Sequence, residues 1–397
     1  MARTTASLMA TIALIQAGSS YILDLPILYR TGYAMVNMPV GTPPQDQLIM
    51  FDTGSGTSWV MDKECADGGC INGSGFTRNG YDKNASTTSR DLGLYEKMEY
   101  LGGTTNGDAM SDMFHIGDVS WNQTFIAANE TSWAVLPGDG FLGMGFSYIA
   151  EPQTETIVET MMQEGMLNEP KFAIYYGKEF NYTGDGPGEG ILTLGSSKEK
   201  KYVEGDMTWI QVHKDDVDNT TAYQLWRSHL RKISGQRHGD AVSPPANGTF
   251  VFPDNAPTAV FDTGAGMISL PSTSVVDVYK AIGWNFKALL DHSYIPLCAD
   301  FNSTWSVTFT FSENNVDFFD VSIRGDQLGG NRGYANRQDA CVPPFDDSGN
   351  ARLALMGQNF VRAFYTVFDF GGSKVQDFKP RIGFGQLKAE YQAPVPI

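Results

Sequence analysis

The chain has 397 residues, long enough for two units of ordinary domain size, each burying its own core. With 43 glycines, 12% aromatic and only 18% charged residues, it suits a β-rich fold with many turns, not a coiled coil or a disordered segment. A net charge of −17 opposes phosphate backbones and anionic bilayers, which excludes nucleic acid as an expected partner.

Residues 1–20 read as a secretory signal: Arg3 opens it, Leu8 to Ile15 form its apolar centre, and Ala17-Gly18-Ser19 supply small residues for cleavage. No later run is apolar enough to span a bilayer, and the C-terminus lacks a lipid-anchor tail. Residues 21–32 remain as a short prosegment or N-terminal extension. Eight Asn-x-Ser/Thr sequons begin at Asn72, Asn84, Asn122, Asn129, Asn181, Asn219, Asn247 and Asn302, as expected of a glycosylated, exported chain. The expected location is extracellular, or alternatively a vacuolar or lysosomal type of lumen.

The stretch Leu48-Ile49-Met50-Phe51-Asp52-Thr53-Gly54-Ser55 is an apolar strand that empties into a turn. Alone, Asp-Thr-Gly is ordinary turn chemistry. A second copy, Ala259-Val260-Phe261-Asp262-Thr263-Gly264, changes its meaning, because two like units can each offer one carboxylate to a shared site. Leu142-Gly143 and Met356-Gly357 add a second matched pair of landmarks. Gly143 stands 91 residues after Asp52, and Gly357 stands 95 after Asp262, the mark of an internal duplication.

Between these landmarks, Cys65 and Cys70 enclose a short polar loop suited to a local bridge, leaving Cys298 and Cys341 as a longer-range pair. Four cysteines still allow three pairings. Met98 to Thr104, followed by Asn106-Gly107, reads as the glycine-rich tip of a hairpin. Gly140 to Gly145 predicts close backbone approach. Thr156 to Leu167 carries Ile157, Met161 and Met162 at helical spacing. Thr183 to Gly190 is a loop, and Ser234 to Thr258 reads as a surface excursion. Ser272 is placed to cap a helix presenting Val275, Val278, Tyr279 and Ile282 on one face. The five histidines are scattered, and no metal-ligand spacing or cofactor motif is present, so neither metal nor cofactor is expected.

Taken in order, Gly41-Thr42-Pro43-Pro44-Gln45, Phe51-Asp52-Thr53-Gly54-Ser55, Trp59-Val60, Phe172-Ala173-Ile174-Tyr175, Ile191-Leu192-Thr193-Leu194-Gly195, Phe261-Asp262-Thr263-Gly264 and Tyr365-Thr366-Val367-Phe368-Asp369 are family signatures. From about Tyr33 to Phe384 the chain resembles the pepsin-like aspartic proteases, of the secreted, fungal type. The resemblance implies a mainly all-β, bilobal fold of two similar β-barrel-like lobes with a cleft between them. An N-terminal lobe over 33–202 would carry Asp52 and a flap, a C-terminal lobe over 203–390 would carry Asp262, and 391–397 would be a tail. It implies Asp52 and Asp262 as the catalytic pair, supported by Thr53, Gly54, Ser55, Thr263 and Gly264. It places Tyr100 on the flap beside Gly102 and Gly103, with Trp59 as its indole partner and Phe141 in the substrate cleft. The two cysteine pairs match two bridges of the family.

The implied activity is hydrolysis of extended peptide or protein substrates at acidic pH by a monomer without cofactor or membrane anchor. A non-catalytic binding protein on the same fold is the alternative, weakened by the retention of Asp52, Asp262 and Tyr100. Two departures stand out. Gly56 replaces a serine and is expected to loosen the first loop, and Ala265 stands where a hydroxyl residue is usual.

Overall fold

A computed structural model describes residues 20–178, 188–217, 220–239, 244–253, 256–329 and 332–393. The signal reading, Asn181, Asn219 and most of the 183–190 loop lie outside these residues. Strands dominate, with a few short helices.

Each half builds an eight-stranded sheet around the same arrangement. In the first, the strand Leu48–Asp52 runs parallel to Gly140–Gly143, with Asp52 opposite Gly143. Gly140–Gly143 in turn pairs antiparallel with Trp59–Met61. In the second, Thr258–Phe261 runs parallel to Leu353–Met356, with Phe261 opposite Met356, and Leu353–Met356 pairs antiparallel with Ile268–Leu270. The matched spacings in the sequence thus correspond to one strand arrangement built twice. The family's barrel-like lobes take an open form here: neither sheet closes on itself.

A six-stranded sheet draws on both halves, with Lys171–Tyr175 pairing Phe364–Asp369 at its centre. Phe172 stacks on Phe368 with ring centroids 4.7 Å apart, and buried Trp226 meets Phe368 edge-on. One continuous core therefore runs from Phe51 through this sheet to Phe261. The segment 21–32 is woven into the same fabric. Leu23–Pro26 pairs Ile191–Leu194, Leu28–Arg30 pairs Tyr33–Asn37, and Leu23, Leu25, Ile27 and Tyr29 are buried.

Several local expectations are corrected. Asn106-Gly107 is not a turn but lies inside the strand Gly103–Ile116, where a Cβ on Gly107 would sit 2.1 Å from the Ala127 carbonyl oxygen. Glycine serves close approach at a bulge there, and the hairpin turns at Leu101-Gly102 instead. Ser234 to Thr258 is mostly ordered pairing, with Arg227–Arg237 antiparallel to Ala246–Val251. The helix Val275–Ala281 starts at Ser274, not Ser272. Ser274 Oγ donates back to the Pro271 carbonyl, and Ser272 Oγ donates to Asp347. Its apolar face is as expected, with Val275, Val278, Tyr279 and Ile282 buried. The helix predicted over Thr156–Leu167 spans Ile157–Gln163, ended by Gly165 at φ 68°. Disulfides join Cys65 to Cys70 and Cys298 to Cys341.

Candidate active site

Both Asp-Thr-Gly turns leave the ends of buried strands and meet at the junction of the halves. The two threonines bind them reciprocally. Thr53 N–H donates to Thr263 Oγ1 at 3.0 Å and Thr53 Oγ1 donates to the Phe261 carbonyl at 2.7 Å. Thr263 N–H donates to Thr53 Oγ1 at 3.0 Å and Thr263 Oγ1 to the Phe51 carbonyl at 2.8 Å. Gln358 Nε2 adds a bond to the Thr263 carbonyl. Four bonds related by the duplication leave the loops little freedom to separate.

The glycines set how closely the carboxylates approach. A Cβ on Gly54 would lie 2.4 Å from Asp262 Cγ, and one on Gly264 would lie 2.5 Å from Asp52 Oδ1. Each glycine therefore makes room for the opposite aspartate. Gly56 acts in the same way: its Cβ would meet the Ala150 nitrogen at 2.9 Å and the Phe146 carbonyl oxygen at 3.0 Å. It tightens the loop against its neighbour, contrary to the expected loosening.

The two carboxyls differ in their donors. Asp52 accepts from Gly54 N–H at 2.8 Å and from Ser55 Oγ at 2.6 Å. Asp262 accepts from Gly264 N–H at 2.8 Å and from Ala265 N–H at a longer 3.2 Å, with no hydroxyl. Burial raises the pKa of Asp52, and the Ser55 and Gly54 hydrogen bonds pull it back. Burial and the charge of Asp52 hold Asp262 well above the ordinary carboxylate range. Burial thus raises both carboxyls, and the Ser55 hydroxyl favours the anion of Asp52 where Asp262 has only backbone donors on its own loop. Beneath them lies fully buried Tyr176, its hydroxyl without a hydrogen-bond partner and its pKa raised first by burial and then by the Asp262 charge.

Above the pair lies a cleft of about 840 Å³. Tyr100, Gly102 and Phe141 line it as expected, whereas Trp59 and Gly103 stand behind its wall. Trp59 is fully buried and packs on Phe141 at 4.9 Å between ring centroids. The Tyr100 hydroxyl lies 3.6 Å from Met98 Sδ, and its expected contact with the Trp59 indole offsets part of the rise that burial imposes on the Tyr100 pKa.

Trp133, which no sequence signal singles out, meets both Tyr100 (5.9 Å) and Phe141 (5.0 Å). It backs the flap glycines so closely that a Cβ on Gly102 would touch its ring at 2.7 Å. Arg78, almost fully buried, holds this aromatic wall by donating to the carbonyls of Ile71, Trp133 and Leu136. Chain separation hid both residues: Trp133 follows the strand Val119–Thr131 that pairs with the flap strand, and Arg78 joins it from a loop through its bonds to backbone carbonyls.

A family model described as eukaryotic aspartyl protease matches residues 33–378. The chain is 30% identical over 348 residues to a probable vacuolar protease A of Trichophyton verrucosum, covering 85% of this chain and 76% of the relative. A probable vacuolar protease A of Arthroderma benhamiae is 29% identical over 373 residues, covering 91% and 81%. A pregnancy-associated glycoprotein 6 of Ovis aries is 28% identical over 344 residues, covering 85% and 79%.

Proposed function

Because the chain belongs to the eukaryotic aspartyl protease family and is a hydrolase of the aspartic peptidase type, we propose that Asp52 and Asp262 cleave peptide bonds through a shared water. The observation that carries this reading is the asymmetry of their donors. Asp52, stabilised as an anion by Ser55, takes a proton from water as general base. Asp262, held protonated, donates to the scissile carbonyl oxygen as general acid. The resulting tetrahedral diol collapses when a proton reaches the departing nitrogen, so no bond to the enzyme forms. The substrate is a peptide or protein segment, extended along the cleft, with apolar side chains favoured against Tyr100, Phe141 and Trp133.

Export into an oxidising compartment is supported by two disulfides and by the exposure of Asn72, Asn84, Asn122, Asn129 and Asn247. Asn302 is only partly exposed, its side chain donating to the Ala299 carbonyl. The relatives named vacuolar protease A favour an acidic lumen as the alternative destination. The test is Asp52→Asn and Asp262→Asn, each expected to fold and to lose about 10²–10⁴-fold or more in kcat on a peptide cleaved at acid pH. Retention of a substantial fraction of the wild-type rate by either folded variant would overturn the assignment.

A further inference from the structure

Away from the cleft, the fold gathers two histidines and a glutamate that lie far apart in the chain. His213 leaves the strand Thr208–Gln211 of the shared sheet, and its N–H is held by the Arg227 carbonyl at 2.7 Å. His229 lies on the strand Arg227–Arg237 of the second half. Glu313 follows the strand Trp305–Phe311, where the Ser312 N–H bonds the His229 carbonyl at 3.1 Å. Backbone bonds thus fix all three side chains from three different elements.

Glu313 Oε2 lies 2.8 Å from His213 Nδ1 and 3.1 Å from His229 Nδ1, and one ligand atom from each residue falls within 4.8 Å of the others. A tetrahedral zinc ion with bonds of about 2.0–2.1 Å has ligand-to-ligand edges of about 3.3 Å. The two edges from Glu313 are already near this length, and all three ligand atoms lie within 4.8 Å of one another, so closing the remaining edge on a metal needs at most about 1.5 Å of movement. Its outer partners suit the same role. Ser228 Oγ (2.9 Å) and the His229 N–H (2.7 Å) occupy Glu313 Oε1, leaving Oε2 to face the imidazoles. His213 Nε2 faces Asp215 at 3.7 Å, the carboxylate-to-histidine orientation common behind metal ligands. All three side chains are roughly one-quarter exposed, so water has access for a fourth position.

Charge favours a dication. With neutral imidazoles, the charged groups facing the site are Glu313, Asp215 and Arg227, the last paired to Asp215, giving one net negative charge. Burial works to raise the Glu313 pKa, yet the bonds from His213 and His229 overcome it and keep the carboxylate ionised.

We propose that His213, His229 and Glu313 form a zinc site, completed by water, that ties the shared sheet to the sheet of the second half. The site is independent of the peptidase reading, since it contains neither aspartate of the cleft. The test uses the full-length protein, stripped by a chelator and titrated with zinc ion by calorimetry at about pH 7, with melting followed in parallel. One equivalent should bind and raise the melting temperature. His213→Gln with His229→Gln should weaken binding at pH 7 by at least about 100-fold, since even an outer partner contributes 10–100-fold. His115, His238 and His292 stay in place as the internal control for stray binding. If the double variant fails to fold, Glu313→Gln carries the same expectation. No zinc-dependent heat or melting shift in the wild type would overturn the proposal, as would undiminished binding in a folded variant.

Discussion

At the scale of single residues, the difference between Ser55 and Ala265 sets how the two carboxyls divide a proton. Ser55 donates to Asp52 at 2.6 Å, while Asp262 has only backbone donors on its own loop, the Ala265 N–H among them at 3.2 Å. A hydrogen bond to a charged group contributes about 1.5–3 kcal/mol, and one pKa unit corresponds to about 1.36 kcal/mol. Because the backbone donor already meets part of the need, a new hydroxyl should lower the pair's upper apparent pKa by about one unit or less. Ala265→Ser or Ala265→Thr should therefore shift the alkaline limb of the kcat profile toward acid, as Asp262 gives up its proton earlier. Profiles that superimpose in a folded variant would show that Ala265 is neutral in this respect. By the same logic, the wild type should work at weaker acid than a relative with hydroxyls on both loops.

Among the elements, the hairpin formed by Arg90–Tyr100 and Gly103–Ile116 is the part best placed to move. Leu101 at its tip is 85% exposed, while Tyr100 turns inward to Phe141 and Trp133. The buried Nε1 atom of Trp133 lacks a partner among the described residues, and an unsatisfied donor costs about 1–3 kcal/mol. Closure over a peptide can offset this by bringing a substrate carbonyl to it. Tyr100→Ala should depress kcat/KM by about 100-fold or more without unfolding. Trp133→Ala should depress it by about tenfold, because the flap loses its backing. An unchanged kcat/KM in either variant would detach that residue from the flap's action. The Asp-Thr-Gly turns were legible in the sequence because strand, turn and carboxylate are local. Trp133 and Arg78 were not, since their roles come from contacts across dozens of residues, Trp133 through the strand pairing before it and Arg78 through bonds from a loop to distant carbonyls. Asn106-Gly107 misled for a related reason: a glycine needed for close approach carries the same local signature as one needed for a turn.

For the whole molecule, the buried carboxyls make stability a function of pH with a definite sign. Burial raises Asp52 and Asp262 above their ordinary value of 3.8, and likewise Asp139 above 3.8 and Glu159 above 4.5. A carboxyl whose folded pKa is raised contributes stability that is fully present below its unfolded pKa. That stability is lost as pH climbs through the folded value, because the unfolded chain ionises first. Glu313 has the opposite sign: its lowered pKa contributes above about 4.5 and fades as pH falls. Asp52, Asp262, Asp139 and Glu159 act together against Glu313, and the net charge of −17 adds self-repulsion as pH rises toward neutral. The melting temperature, measured in chelator to keep metal from the His213 cluster, should therefore fall between about pH 4 and pH 7. Asp262→Asn removes one of the raised groups and should reduce that slope while leaving the fold intact. A melting temperature that is level or rising across this range would mean that the buried carboxyls ionise without penalty. The assignment of the dyad's proton to Asp262 would then lose its electrostatic basis.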